Sequence, residues 1–318
     1  MLADHQSVLT QTERWCADGL RPWLCTIVET TGSSPRPTGS MLTCLESGET
    51  VGSLSGGCVE EDFLERLSRG EIDDTRPQLL EFGVSPEQNE KLGLPCGGRM
   101  LVAAQRINKD CVSWLKPLSD SLQQRSCLLR ELDMQSGKTR LSAANEFQPL
   151  VFENGLLRQV FGPQMRMLLV GAGQLSHTLA ELALAMDYEV LVTDPRQAML
   201  DQWNGPTVRL LQGMPDDVIL KHADDRFSVV ITLTHDPRID DMALMEALET
   251  SAWYVGALGS LRTTEKRKER LSALGVASDA INKLHAPVGL DIGSKTPIEI
   301  AVAIMAQLTL LRRTKTQP

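Results

Sequence analysis

The sequence predicts an α/β protein in which a C-terminal doubly wound parallel sheet follows an N-terminal mixed α/β domain. From residue 161 onward, apolar segments of strand length alternate with segments of helix length, an order typical of a parallel sheet covered by helices. Before that point the strands come in hairpin-like pairs, and all seven cysteines lie within the first 127 residues. This change of pattern predicts two domains, residues 1–160 and 161–318.

The N-terminal domain is predicted to begin with a helix near residues 5–18, followed by an apolar, β-branched strand within "PWLCTIVETTGS" (22–33). Two alternating segments on either side of Gly48 predict a hairpin, and "VEEDFLERLSRG" (59–70) predicts a helix. Two more strands, "QLLEFGV" and "RMLVAAQRI", flank the loop "GLPCGG". A helix and short strands are expected between residues 110 and 160.

The C-terminal domain opens with "RMLLVGAGQLSHTLAELALAMDYEVLVTDPR" (166–196), which predicts a strand, a glycine turn, a helix and a second strand. Gly171, Gly173 and Ser176 occupy the G-x-G-x-x-G positions of a dinucleotide-binding turn, although the third position usually holds Gly or Ala. Asp194 ends the second strand, where a carboxylate binds ribose hydroxyls and opposes a 2'-phosphate. The stretch therefore predicts a Rossmann-like domain, with NAD favoured over NADP if a dinucleotide binds.

Two further strands, within residues 227–234 and 252–260, continue the parallel sheet. His235 follows the first of them, at the end of the sheet where α/β proteins bind their ligands. It is a candidate catalytic acid or base, and a purely structural role beside the turn is the alternative. "GALGS" (256–260) precedes a charged helix and either offers N–H groups to an anion or forms a tight turn.

Two short stretches place a cysteine against glycines: "GSLSGGCVEEDF" contains Cys58, and "GLPCGGRM" contains Cys96. Glycines let backbone N–H groups approach a ligand, and arginine supplies charge-assisted bonds to phosphate. A thiolate is favoured at a helix N-terminus or beside arginine, so both thiols are candidate reactive groups. Two turns that happen to contain cysteine are the alternative. The candidate cofactor-binding residues of this region are Arg36, Gly39, Gly56, Gly57, Gly97, Gly98 and Arg99.

Composition and charge narrow the class of protein. The chain has 318 residues, 42% of them hydrophobic, and a net charge of -9, which opposes general attraction to nucleic acid or to an anionic membrane. No apolar stretch approaches the roughly 18 residues of a membrane span, and the start lacks a signal-peptide pattern. We therefore expect a cytoplasmic protein that binds neither nucleic acid nor membrane.

The motifs taken together resemble the accessory proteins of xanthine dehydrogenase and carbon monoxide dehydrogenase, the XdhC/CoxI family. The resemblance covers most of the chain except residues 105–160. It is carried in the N-terminal part by "GSSPRPTGSML", "GSLSGGCVEE" and "LPCGGRM", and in the C-terminal part by "LLVGAGQLSHTLAELA", "VTDPR", "THDPRIDDMAL", "YVGALGSLRT" and "HAPVGLDIGSKTPIEIAVAI".

The resemblance implies a chaperone that binds molybdenum cofactor, supports its sulfuration and delivers it to a xanthine dehydrogenase-type enzyme, with a cysteine desulfurase as sulfur source. In that role Cys58 and Cys96 would ligate or shield molybdenum or relay sulfur, because soft thiolates suit both. A homodimer is also expected from the apolar stretch "PIEIAVAIMAQLTLLRR", which an ordinary core helix would explain equally well. An NAD-dependent oxidoreductase and a pure recruitment protein are the rival functions.

Overall fold

The structure is a computed structural model. It describes residues 4–32, 36–83, 98–108, 111–144, 148–234 and 236–314. The chain divides into two compact units, Met1–Pro163 and Gln164–Pro318.

The first unit contains a five-stranded antiparallel sheet with the strand order β3-β2-β1-β5-β4. Apolar residues of alternate strand positions form its core together with one side of the second helix. In chain order its elements are α1 (Asp4–Ala17), β1 (Trp23–Thr31), β2 (Met41–Cys44), β3 (Thr50–Gly52), α2 (Cys58–Ser68), β4 (Gln78–Phe82) and β5 (Arg99–Arg106).

A second antiparallel sheet of four strands completes this unit, in the order β7-β6-β9-β8. It accounts for the stretch in which the sequence predicts only a helix and short strands. Its elements are α3 (Val112–Gln123), β6 (Cys127–Asp133), β7 (Thr139–Ala144), β8 (Val151–Glu153) and β9 (Leu156–Phe161).

Strand direction and register determine which strand ends lie together in the five-stranded sheet. Strands β1 and β3 are both antiparallel to β2, so they point the same way. Strand β5 is antiparallel to β1 and begins where β1 ends, with Thr31 paired with Arg99. The chain therefore leaves β1 and β3 in the same direction, although Gly52 is level with Cys25 through their common neighbour Leu42, six residues before β1 ends at Thr31.

The second unit confirms the predicted Rossmann-like sheet. Its six strands are parallel and lie in the order β12-β11-β10-β13-β14-β15. The elements are β10 (Arg166–Val170), α4 (Gln174–Ala185), β11 (Glu189–Asp194), α5 (Gln197–Asp201), β12 (Arg209–Gln212), α6 (Pro215–His222), β13 (Ser228–Thr232), α7 (Pro237–Ala247), β14 (Tyr254–Ala257), α8 (Leu261–Ala273), α9 (Ser278–Ile281), β15 (Leu284–His285) and α10 (Pro297–Thr314).

Both faces of this parallel sheet are buried, which explains why its strands are apolar throughout. Leu169 and Ile231 belong to one hydrophobic cluster, whereas their neighbours Leu168 and Val230 belong to another on the opposite face. Helices cover both faces, as parallel sheets require. The strand order reverses between β10 and β13, so the glycine turn after β10 lies beside the switch point of the sheet.

The C-terminal helix α10 packs mainly as a core helix. Ala301, Ile304 and Leu308 are fully buried in the cluster that also contains helix α4 residues. Ile298 and Val302, by contrast, are about half exposed, at 50% and 46%. Within the described part of the chain, no helix combines the length and apolar character that crossing a membrane requires.

Candidate functional site

Cys58 lies at the first position of helix α2, immediately after the segment that leaves β3. Its side chain is exposed, and the thiol makes no hydrogen bond with any residue that the structure describes. Cys25 and Cys44 of the same unit are buried, and burial raises the pKa of Cys44 to about 12 and that of Cys25 well above its usual value. Cys58 is thus placed where a ligand can reach it.

The segment before Cys58 is held by a single carboxylate, that of Glu60. Its Oε1 accepts hydrogen bonds from the Ser53 hydroxyl at 2.8 Å and from the backbone N–H groups of Leu54, Ser55 and Gly56 at 2.8, 3.0 and 3.2 Å. Its Oε2 accepts from the Ser55 hydroxyl at 2.6 Å and from the Gly57 N–H at 3.0 Å. Glu60 therefore fills the anion-binding hollow that this glycine loop forms.

The hydrogen bonds around Glu60 also determine its charge. Burial opposes ionisation of this carboxyl, but the hydrogen bonds from Ser55, Ser53 and the loop backbone outweigh that effect and lower its pKa to about 2. The side chain is ionised throughout the physiological range. Glu60 is not among the site residues predicted from sequence, although its spacing of three residues from the helix cap at Gly57 is that of a capping box.

This arrangement changes the expected role of Gly56 and Gly57. Their N–H groups already donate to Glu60, so they are not available to a ligand in this conformation. Instead both glycines supply backbone dihedrals that other residues rarely adopt, with φ of +97° and +153°. Apart from the chain neighbours, a Cβ at either position would meet no atom of the described residues within 4 Å. The glycines therefore leave open space directly before Cys58, and a ligand contact with them stays a prediction.

Arg99 begins β5 opposite Thr31 and forms an exposed ion pair with Glu81 at 3.1 Å. Exposed pairs contribute about 0–1 kcal/mol, so an anionic ligand could replace Glu81 at little cost. Gly98 is buried next to it. Cys96 and Gly97 lie outside the described residues, and within those residues no three His, Cys, Asp or Glu side chains form a group suited to a metal. The predicted metal site at Cys58 and Cys96 stays a prediction.

Gly39 and Arg36 belong to the connection between β1 and β2. The Gly39 carbonyl accepts hydrogen bonds from His5 Nε2 at 2.8 Å and Gln159 Nε2 at 3.1 Å, and its N–H donates to the Ile27 carbonyl at 2.8 Å. Gly39 is buried, with φ of +89°, so in this structure it forms a turn whose polar groups are satisfied internally. Arg36 is partly exposed. Their assignment to a cofactor site stays a prediction.

The glycine turn after β10 has the geometry of the G-x-G-x-x-G fingerprint. Its contacts also explain why Ser176 can occupy the third position, where Gly or Ala is usual. Gly171 has φ of +109°, and a Cβ there would come within 2.8 Å of Thr234 Cγ2. Gly173 is the N-cap residue of helix α4, and a Cβ built there would meet no atom of the described residues within 4 Å, apart from its chain neighbours. Ser176 is buried, and its hydroxyl donates to the Gly171 carbonyl at 2.5 Å. The serine therefore bonds to the turn and fits the close packing that Gly or Ala usually provides.

Asp194 does not present its carboxylate as a ribose-binding residue would. It is fully buried and accepts hydrogen bonds from the Ala172 N–H at 3.1 Å and from the Arg196 N–H, Nε and Nη2 at 3.0, 2.8 and 2.8 Å. A ribose would have to displace Arg196. This geometry gives NAD no support, and the candidate acid or base His235 lies outside the described residues.

Comparison with known proteins identifies the family to which these two units belong. Residues 167–308 match the family model described as the XdhC Rossmann domain, and residues 15–83 match that of the XdhC and CoxI family. The chain belongs to the XdhC and CoxI family. Cys58 and Gly171 lie within the matched ranges, whereas Cys96 and Arg99 fall between them.

Three relatives of this XdhC/CoxI protein extend over nearly its whole length. A Bacillus subtilis protein named as a probable xanthine dehydrogenase subunit is 27% identical over 314 residues, covering 91% of this chain and 93% of its own. The molybdenum cofactor insertion chaperone PaoD of Escherichia coli is 25% identical, covering 97% and 89%. A crystal structure of a Bacillus halodurans protein described as a xanthine dehydrogenase has a TM-score of 0.76 and 25% identity, covering 97% and 96%.

Proposed function

We propose that this protein is a maturation chaperone that binds molybdenum cofactor and delivers it to a xanthine dehydrogenase-type molybdoenzyme. Its similarity along nearly the whole chain to a molybdenum cofactor insertion chaperone supports the general role. The exposed thiol of Cys58, directly after the glycine loop that leaves β3, is the observation that carries the proposal.

The chemistry of the cofactor fits the residue types in this region. Molybdenum cofactor is a pterin with a dithiolene and a phosphate, so it offers a soft metal centre and an anionic group. A thiol suits the metal or a transferable sulfur, and Arg99, whose ion pair is exposed, suits the phosphate. We include Arg36, Cys96 and the neighbouring glycines in the proposed site. Cys58 and Cys96 either ligate or shield molybdenum or relay sulfur.

Retention of the cofactor tests the proposal. Purified protein is mixed with molybdenum cofactor released from a molybdoenzyme, passed through a desalting column and analysed for bound molybdenum. We expect the wild type to retain the cofactor. The Cys58→Ala, Cys96→Ala double variant should retain at least 10-fold less molybdenum per protein. Cys16→Ala is the matched control, because Cys16 lies in helix α1, packs against a hydrophobic cluster and is not part of the proposed site.

The possible results separate the parts of the proposal. Failure of the wild type to retain cofactor would refute cofactor binding altogether. Equal retention by the wild type and the double variant would refute the role of the thiols. A fall in retention with Cys16→Ala equal to that of the double variant would show a general loss of structure instead of a lost site.

Delivery and sulfuration need a second assay, with the client enzyme and a cysteine desulfurase present. We propose that this protein activates cofactor-free xanthine dehydrogenase-type enzyme and that a cysteine desulfurase increases the activated fraction. In the double cysteine variant the activation should disappear. Full activation by that variant would instead favour a pure recruitment protein, which brings partners together without handling the cofactor.

We further propose that the protein forms a homodimer through the outer face of helix α10. Ile298 and Val302 leave apolar area exposed on a helix whose other side is fully packed. Light scattering after gel filtration should give twice the monomer mass for the wild type and the monomer mass for Val302→Glu. A monomeric wild type would refute this proposal without affecting the others.

A further inference from the structure

A cavity of about 680 Å³ opens in the second unit, beyond the carboxyl ends of β13 and β14. It lies between the starts of helices α7 and α8. Its size falls within the roughly 300–1,000 Å³ range of small-ligand sites, and open α/β sheets bind their ligands at this end. Among the described residues, the lining contains no glycine of the turn after β10, although the lining residue Thr234 lies next to Gly171.

Arginine and lysine side chains dominate the polar lining of this cavity, and two of the arginines are fixed by carboxylates. Arg267 is almost completely buried, donates to the Leu258 carbonyl at 3.0 Å and pairs with Asp240 at 3.1 Å. Arg270 forms a two-point pair with Asp241, at 2.5 and 3.0 Å. These bonds hold both guanidinium groups in place, and the two carboxylates balance their charge.

Two further cations in the lining have no such balance. Arg262 and Lys266 lie one turn apart on helix α8, are exposed, and form no salt bridge with any carboxylate that the structure describes. Among the described residues, the cavity therefore carries two positive charges without a paired carboxylate, although the chain as a whole has a net charge of -9. Such a local excess is suited to a doubly charged anion such as a phosphate monoester.

The buried arginine at the back of the cavity is held by two carboxylates. Besides its pair with Asp240, the Arg267 Nε lies 4.0 Å from Asp241 Oδ1, which is too long for a hydrogen bond but within ion-pair range, and the side chain is only 4% exposed. A Cβ on Gly259 would lie 3.3 Å from Arg267 Nη1, so the glycine keeps space next to the guanidinium clear. The fixed guanidinium therefore forms a rigid cationic wall of the cavity.

The remaining lining residues add to the attraction for a phosphate and provide an apolar surface for the organic part of a phosphate monoester. The 13-residue helix α8 borders the cavity with Thr263 of its first turn and with Gly259, which precedes the N-cap Ser260, so the positive end of the helix adds to the field of the side chains. Pro237 and Leu258 supply an apolar wall against which a flat ring can pack. The lining therefore combines an anion-binding side with an apolar side.

We propose that this cavity binds a phosphate ester of nucleotide size, with its phosphate held by Arg262 and Lys266 and its ring against Pro237 and Leu258. This site belongs to the C-terminal unit and uses none of the residues of the proposed molybdenum cofactor site. The proposal stands whether or not Cys58 handles the cofactor.

Isothermal titration calorimetry on the full chain, in a phosphate-free buffer, tests it. The ligands are inorganic phosphate, each common ribonucleoside 5'-monophosphate, and the corresponding nucleosides. We expect at least one nucleotide to bind at least 10-fold more tightly than phosphate, and the nucleosides not to bind. Arg262→Ala, Lys266→Ala should weaken nucleotide binding at least 10-fold, whereas Lys283→Ala, Lys295→Ala removes the same charge from exposed positions elsewhere and should leave it unchanged.

Because Arg262 and Lys266 are exposed, the double variant should keep the melting temperature of the wild type, so loss of binding reports on the site. Absence of nucleotide binding at 10 mM ligand would overturn the proposal. So would equal affinity for phosphate and for every nucleotide, binding unaffected by Arg262→Ala, Lys266→Ala, or equal weakening in the lysine control. Cofactor retention by the thiol site is measured separately and does not depend on these results.

Discussion

Glu60 is the residue whose replacement tests the structure most directly. Glu60→Gln keeps the size of the side chain but replaces the carboxylate, whose two oxygens accept six hydrogen bonds from the segment before Cys58. The carboxamide has one acceptor oxygen, and its NH₂ group would face donors. We expect the segment 53–57 to open more readily, and the exposed thiol that follows it to lose its fixed position.

The size of the effect follows from the lowered pKa. A fall from 4.5 to about 2 corresponds to roughly 3 kcal/mol of stabilisation by the ionised form, by the linkage between protonation and folding. The side chain is only half-buried, so solvent screening reduces this to about 2 kcal/mol. Because the folded-state pKa is the lower one, the contribution is complete above about pH 5 and is lost as the pH falls towards 2.

Hydrogen exchange followed by mass spectrometry measures this effect locally. A loss of about 2 kcal/mol in the free energy of opening should make the amides of residues 54–57 exchange roughly 30-fold faster at pH 7. The difference between wild type and Glu60→Gln should shrink when the comparison is repeated at pH 3. Peptides from the C-terminal unit should exchange at unchanged rates.

Glu61→Gln is the matched control, because Glu61 lies in the same first turn and is exposed. It removes the same charge near the helix N-terminus, which is worth about 0.3–1 kcal/mol, without removing the loop acceptor. The reasoning is refuted if Glu60→Gln exchanges like the wild type, or if both variants change exchange equally, since charge alone would then explain the effect.

Three further outcomes are expected. In a Cys96→Ser background, iodoacetamide at pH 8 should modify Cys58 before any other cysteine, because the other cysteines that the structure describes are partly or fully buried. Mass spectrometry locates the label, and equal labelling of a second cysteine would contradict this expectation. Gly171→Ala should lower the melting temperature by about 5–10 °C through its positive φ and close contact, while Gly173→Ala, with open space, shifts it by less than about 2 °C. Asp194→Asn should lower the free energy of unfolding by about 1–3 kcal/mol at pH 7, as measured by urea titration. Hydrogen bonds outweigh burial and lower the pKa of the Asp194 carboxyl in the folded state. The difference in stability between the variant and the wild type should therefore decrease as the pH falls below 3.8.

The architecture of the C-terminal unit can be predicted from its sequence alone. Parallel strands that are covered on both faces consist of continuous apolar residues, as in Met167–Val170. Such a run is visible in a few consecutive residues, so the strands can be recognised from the local sequence. The glycine turn at Gly171 is equally local, because a positive φ selects glycine directly. The exposed cysteine could also be anticipated, from its place between a glycine pair and a helix start.

Which polar groups meet, by contrast, is set by the tertiary fold. Gln159 donates to the carbonyl of Gly39, 120 residues away, and Arg267 pairs with Asp240, 27 residues away. Arg262 and Lys266 acquire a role because the carboxyl ends of β13 and β14 place them around one cavity, next to a buried arginine that carboxylates on helix α7 hold. Hydrogen bonds and charges select partners by distance in space, and sequence spacing records that distance only within a turn or a helix.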